Sequence, residues 1–416
     1  MRNRINRLNR PKSNHSIIPS RGMKIFLGSC LIAIVFSACF NAPGPDLRPP
    51  GVVPKPPILP TYLDTFVQNY ARYFAQSMQE SQTPGAALVI VKDSQIVFMR
   101  GYGPRFVGSL DSIDAHTVFR IGSLSKGFAG VLTGKMVEDH HFSWEDPVQQ
   151  HYPDFIMRDK KQAARVRLWH LLSHTSGLPY HAFTNLVEQD YSVSRIVSEY
   201  FPKAPVSGKE GVFYAYQNVA LCVIEEVMLQ KTGKTYAQLL SEEIFRPAGM
   251  QDASCDFSTI CGERDKTYPH FATGWGGWRA DSISPLYYNA AAAGGVNASI
   301  ADMGQWLKIL LGFRPDIVAD STLNRVFTPV VKTDKERRIF PRWLSRDAAS
   351  YALGWRVLDH AGDTIIYHGG YVNGYKSEIA FNRNDGIGIC VLFNSNSALS
   401  RECIPAFFEQ WDVARQ

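Results

Sequence analysis

From residue 61 onward the chain changes hydrophobic period several times, and each change predicts an element. TYLDTFVQNYARYFAQSMQE repeats aromatic positions four residues apart, at Tyr62, Phe66, Tyr70 and Phe74, which predicts a helix. GAALVIVKDSQIVFMRGYG is β-rich on both sides of Lys92-Asp93-Ser94 and predicts a hairpin. A polar turn from Thr117 leads into Ser123, and GFAGVLTGKMVED continues as a helix, so Ser123 is expected at a helix N-terminus. Helical stretches and loops then dominate to about residue 290, notably VRLWHLLSH and NVALCVIEEVMLQKTG, punctuated by Pro147, Pro153, Pro179 and Pro247. After residue 350 strand signals return in YALGWRVL, TIIYHGG, YKSEIAFN and GIGICVLFNS, and the chain closes with a helical SRECIPAFFEQWDV. Strands near both ends and helices between them predict an α/β (α+β) fold. Its sheet domain would comprise residues 62–126 and 291–416, with a mostly helical domain at 127–290. No internal repeat is present.

Length and composition permit this picture and refine it at the N-terminus. A chain of 416 residues that is 45% hydrophobic has ample material for a core. Its formal charge of +6 is concentrated in residues 1–38, which carry seven Lys and Arg and no acidic residue, leaving 37 basic against 38 acidic side chains. The body is therefore close to neutral, and without a basic run it gives no reason to expect nucleic acid. Residues 25–38, IFLGSCLIAIVFSA, form a short apolar core behind basic residues and predict a signal peptide over 1–38; a membrane-anchor helix is the alternative. At 14 residues the run is short for a bilayer span, which takes about 20. Met23 is a second candidate start. Phe36-Ser37-Ala38-Cys39 resembles a bacterial lipobox, with Phe36 where an aliphatic residue is usual, which implies lipidation at Cys39. Residues 39–61, rich in proline, read as an extended tether.

Five of the seven cysteines remain after this leader. Cys255 and Cys261 are close enough in a loop-like stretch to form a disulfide in an oxidising compartment, whereas Cys222 and Cys390 sit in apolar runs as buried thiols. His170 and His174 stand four apart on the predicted helix, but no Glu completes H-E-x-x-H, and neither a metal nor any other cofactor is expected. The aromatic stretch from Trp275 to Trp278 is a candidate cleft lining.

Three short patterns carry chemistry. Ser123-Leu124-Ser125-Lys126 puts a hydroxyl and an amine three residues apart, on one face of a helix, where a neutral amine could take the serine proton. The same helix start offers backbone N–H groups to a developing oxyanion. Tyr216-Gln217-Asn218, ahead of the next long helix, offers a phenol for proton transfer and an amide for an acyl group. His368-Gly369-Gly370 ends an apolar strand, where the glycines would admit a substrate backbone and His368 could bring positive charge to a substrate carboxylate. Each alone is weak, since a surface Ser and Lys, a loop Tyr or a strand-end Gly pair is common. G-x-S-x-G is absent around Ser123, which disfavours an α/β-hydrolase.

In order and spacing the three resemble one family across nearly all of the chain from residue 62: serine β-lactamases of class C, DD-peptidases, penicillin-binding proteins and related esterases. Phe119-Arg120-Ile121-Gly122, Leu171 to Leu178 (LLSHTSGL) and Ala293-Gly294-Gly295-Val296 look like further stretches of it. The resemblance implies a β-lactamase/transpeptidase-like fold, an antiparallel sheet flanked by helices. It also implies Ser123 as nucleophile, Lys126 and Tyr216 as proton carriers, Asn218 and His368 to Tyr371 as substrate contacts, and the N–H groups of Ser123 and Tyr371 as oxyanion hole. His368 stands where efficient β-lactamases have Lys, and Gly369 where they have Thr or Ser. This implies a peptidase-like or esterase-like enzyme acting on D-Ala-D-Ala peptides, small esters or β-lactams. The rival reading is a non-catalytic envelope lipoprotein that binds cell-wall fragments in the same cleft. By analogy Phe40, following the lipid-bearing Cys, points to the outer membrane facing the periplasm; oligomeric state is not indicated.

Overall fold

The first aromatic repeat builds α1 (Thr61–Glu80), whose buried stripe is Leu63, Phe66, Val67, Tyr70, Phe74 and Met78. The structure, a computed structural model, describes residues 59–274, 276–333, 349–360 and 362–416. The expected signal peptide, Cys39, the tether up to residue 58 and Trp275 lie outside the described residues. The hairpin forms as β1 (Ala86–Lys92) and β2 (Gln95–Tyr102). The C-terminal strand signals become β3 (Val331–Lys332), β4 (Ala349–Tyr351), β5 (Arg356–His360), β6 (Asp363–Val372), β7 (Tyr375–Asn382) and β8 (Ile387–Phe393).

These strands form one antiparallel sheet in the order β2-β1-β8-β7-β6-β5-β4-β3. The first strand lies beside the last, with Ala86 opposite Phe393 and Lys92 opposite Ile387, so the two ends of the chain close the sheet together. Central strands made almost wholly of apolar residues are covered on both faces. On one face Leu88, Ile90, Ile389 and Val391 meet α1 and the last helix, Cys403–Ala414. Phe66 and Tyr70 set their rings edge-on to Phe407 at 5.2 and 5.1 Å, and the Tyr70 hydroxyl donates to the Cys403 carbonyl at 2.7 Å. On the other face Val89, Ile379, Phe381 and Leu392 join the larger core that includes α2 (Ser125–Glu138), α3 (Leu168–Leu172), α4 (Asn218–Thr232) and α5 (Ile300–Leu310). Among the described residues, no helix is long and apolar enough to cross a membrane.

Two local expectations fail. Cys255 and Cys261 form no disulfide. Asp256, between them, caps a short helix over Phe257–Gly262 by accepting from Thr259 N, which sends Cys255 into the core and leaves Cys261 on the helix. His170 and His174 do not share a helix. α3 ends at Leu172, and His174 sits beyond it at φ 59°, a left-handed conformation that turns its side chain toward the sheet. His170 instead accepts from the Arg167 N–H at 3.0 Å through Nδ1. Among the described residues no group of His, Cys, Asp and Glu could hold a metal ion.

Candidate active site

Ser123 lies in a tight 3₁₀ turn, Gly122–Leu124, that runs straight into α2, one turn earlier than an α-helix start. The three-residue spacing survives, and the Lys126 Nζ donates to Ser123 Oγ at 3.1 Å and to the Ala293 carbonyl at 2.8 Å. Lys126 is fully buried while Ser123 is half-buried, so only the hydroxyl faces the cleft. The turn is held from both sides. Ser125 Oγ donates to Gly122 O at 2.7 Å and accepts from Val296 N at 3.1 Å. The buried Arg120 guanidinium donates to the carbonyls of Ser284 and Leu286 and stacks on Tyr288 at 4.5 Å. The Phe119 and Ala293 stretches thus position the Ser123 turn. Behind them, Glu225 of α4 accepts from Ala292 N at 2.8 Å, and burial pushes its carboxyl up to about 7.

Tyr216 ends the loop before α4, fixed by His181 N donating to its carbonyl at 2.9 Å. Its ring has two basic side chains nearby, Lys126 Nζ at 5.0 Å and the Arg356 guanidinium at 5.5 Å from the centroid. Asn218 is the first residue of α4 and not its cap, a place taken by Gln217. The Asn218 side-chain oxygen is buried without a hydrogen-bond partner, although the residue lines the cleft. A ligand N–H would satisfy it.

β5 leaves β6 after Tyr367, so the stretch from His368 to Val372 presents a backbone edge with no strand partner on that side among the described residues. This edge lies against the Ser123 turn. A Cβ on Gly370 would come 2.3 Å from the Ile121 carbonyl, and one on Gly122 within 2.8 Å of the Tyr371 backbone. Gly122 also holds φ at +52°. Glycine at both places is what lets the Ser123 and Tyr371 backbones approach. Ser123, Tyr216, Asn218, Gly369, Gly370 and Tyr371 together line one cleft of about 420 Å³.

His368 is the exception. Its side chain is fully buried on the sheet face turned away from Gly369, so it brings no charge to a bound carboxylate. Burial, helped by Arg356 and Lys126, pushes it well below its usual range, as burial with Lys126, Arg356 and His181 does for His174. Both imidazoles are therefore neutral, and their backbone partners fix the tautomers. His174 Nδ1 accepts from Gln217 N at 3.2 Å, so its Nε2–H donates to the Tyr351 hydroxyl oxygen at 3.2 Å. His368 Nδ1 lies 2.9 Å from the Gly369 carbonyl and must donate, so its Nε2 accepts the Tyr351 proton at 3.0 Å. A one-directional chain thus joins the Tyr216 loop to the β6 edge through His174, Tyr351 and His368.

Tyr351, Arg356, Lys376 and Glu225 also belong to the site and were not singled out from sequence. Only Arg356 carried a signal there, as a lone cation inside the apolar run YALGWRVL. Trp278 does not line the cleft; its indole N–H donates to the Gln82 carbonyl at 2.6 Å.

Known proteins share this architecture. The chain superposes on the octameric penicillin-binding protein homologue from Pyrococcus abyssi with a TM-score of 0.71 at 22% identity, over 84% of this chain and 77% of that one. It is 23% identical over 356 residues to the unguisins hydrolase ungD' of Aspergillus campestris, over 81% of this chain and 63% of that protein. To Protein flp of Staphylococcus aureus it is 22% identical over 358 residues, 83% of this chain and 64% of that one. The chain thus spans less than two thirds of the length of these curated relatives. Residues 70–407 match the Beta-lactamase family, and the chain belongs to that family of the serine hydrolase superfamily.

Proposed function

We propose that the protein is a serine acyl-transfer hydrolase that works through an acyl-enzyme on Ser123. The observation that carries this reading is the Lys126 Nζ, 3.1 Å from Ser123 Oγ at the floor of the cleft that Tyr216 also lines. Ser123 Oγ attacks a carbonyl carbon while Lys126 takes the hydroxyl proton. The carbonyl oxygen, as it gains charge, lies between the N–H groups of Ser123 and Tyr371. Tyr216, beside Lys126 and Arg356, relays the proton to the leaving group, and water then releases the acyl group by the same route. The unpartnered oxygen of Asn218 suits the N–H of an acylamino substrate.

The substrates proposed are D-Ala-D-Ala-type peptides and small esters ahead of β-lactams, because the Lys and the hydroxyl residue of efficient β-lactamases are replaced here by the buried His368 and by Gly369. The named relatives, a hydrolase and a penicillin-binding protein homologue, accord with that range. No resident cofactor is invoked. The apolar run before Cys39 supports export and lipid anchoring in the cell envelope, at the outer membrane facing the periplasm. A fluorescent penicillin or a fluorophosphonate should label the wild type and leave Ser123→Ala unlabelled, with turnover of p-nitrophenyl esters lost in the same variant. Failure of both probes on the wild type, with no ester or peptide turnover, would leave the reading without support and favour a cell-wall-binding protein.

A further inference from the structure

Gly369 is the position at which the cleft lacks the hydroxyl common in the family, and the structure shows what occupies the space. Directly opposed residues of antiparallel strands point to one face. Gly369 stands opposite Glu378 and Tyr371 opposite Lys376, so Tyr367, Gly369, Lys376 and Glu378 share the face opposite to that of His368. A Cβ at 369 would meet the Tyr367 hydroxyl at 2.6 Å and a Glu378 carboxylate oxygen at 2.9 Å. A side chain there would have to displace the buried ends of the pair beneath it.

That pair holds a cation. The fully buried Glu378 carboxylate accepts from the Tyr367 hydroxyl at 2.6 Å on one oxygen and meets the Lys376 Nζ at 3.0 Å on the other. The Lys376 side chain is 19% exposed and lines the same cleft as Ser123, Gly369 and Gly370. An ammonium has three donors. One is directed at Glu378, and Lys376 is among the residues that line the cleft. Arg356 also acts on Glu378 from β5, so the cluster sets two cations against one carboxylate.

We propose that Lys376, anchored by Glu378 and Tyr367, selects substrates that carry a carboxylate on the β6 side of the scissile bond. This deepens the reading of Ser123 as an acylated nucleophile and rests on it. The charge that a third-motif Lys and hydroxyl would supply comes instead from the neighbouring strand β7.

The test uses two esters of phenylacetylglycine, one with a phenyl and one with a 3-carboxyphenyl leaving group, on the full chain. Wild type should favour the carboxylate ester at least tenfold in kcat/KM. Lys376→Met should bring that ratio close to one by raising KM for the carboxylate ester, and Lys376→Arg should keep most of the preference. Because Lys376→Met strands the Glu378 carboxyl, the Lys376→Met/Glu378→Gln double variant is measured beside it and should show the same collapsed ratio. Equal treatment of the two esters by wild type, or an unchanged ratio in both Met variants, overturns the inference. Fluorophosphonate labelling of wild-type Ser123 separates the two claims. Labelling without ester preference sinks only the role of Lys376, whereas no labelling and no turnover sinks the acyl-enzyme reading and this inference with it.

Discussion

The two walls of the cleft are built in opposite ways. On the Ser123 side the hydroxyl and the amine proposed to react belong to one turn, and the distance between them follows from a three-residue spacing. On the β6 side His368, Gly369 and Gly370 are equally contiguous, yet what each does is set by residues from β4, β5 and β7. His368 is silenced by Tyr351, Arg356 and burial, and Gly369 is kept bare by Tyr367 and Glu378. A motif on a helix carries its own geometry, while a motif on a strand alternates faces and takes its chemistry from its neighbours.

Substitutions on the first wall should have the largest effects. Ser123→Ala and Lys126→Met are each expected to lower ester turnover by roughly 10⁴-fold or more, read as kcat/KM on a p-nitrophenyl ester, with no change in fold by circular dichroism. Tyr216→Phe, which removes only a proton carrier, should cost roughly 10²- to 10⁴-fold on amides, whose leaving groups need protonation, and less on p-nitrophenyl esters.

On the second wall the effects should fall on architecture first. Tyr351→Phe cuts the chain between His174 and His368, taking the acceptor from the buried His174 Nε2–H and leaving His368 Nε2 with the longer contact to Arg356 Nη1 at 3.5 Å. It should lower stability by about 1–3 kcal/mol in urea unfolding and kcat/KM by roughly 10- to 100-fold through displacement of the β6 edge. His368→Lys, which restores the family's usual residue, should not raise β-lactam acylation. It places a buried cation beside Arg356 and Lys126, and a loss of about 3 kcal/mol or more is expected. A stable His368→Lys protein with faster penicillin labelling would show that the strand motif is as self-sufficient as the helical one.

The last effect is one of pH and falls on stability alone. Burial raises the Glu225 carboxyl in the folded chain from 4.5 to about 7. Its contribution to stability is therefore present below the unfolded value and lost as pH rises through 7, by roughly 3 kcal/mol in all. Glu225→Gln should accordingly gain stability on wild type between pH 5 and pH 8, measured by urea unfolding at the two pH values.

The same contrast explains what could be read from the sequence. Helices α1, α2 and α4, the hairpin and strands β6 to β8 announce themselves through period and turn chemistry, and the family motifs mark the cleft. Elements that depend on distant packing do not. His174 and His170 look like one helical pair because nothing local shows that α3 stops at Leu172 and that His174 adopts a left-handed conformation. Cys255 and Cys261 look like a loop pair because the Asp256 cap is a single residue. Lys376 and Glu378 read as ordinary alternation on a strand, and only the register against Gly369 turns them into part of a cleft.

The central claim is that Ser123 is the atom donor of the acyl bond, activated by Lys126. Mass spectrometry of peptides from protein incubated with a fluorophosphonate tests it most directly. The account predicts one adduct, on the peptide that contains Ser123, formed in wild type and absent from Ser123→Ala, with its rate greatly reduced in Lys126→Met. An adduct on any other residue, or the same labelling rate without the Lys126 amine, would contradict it.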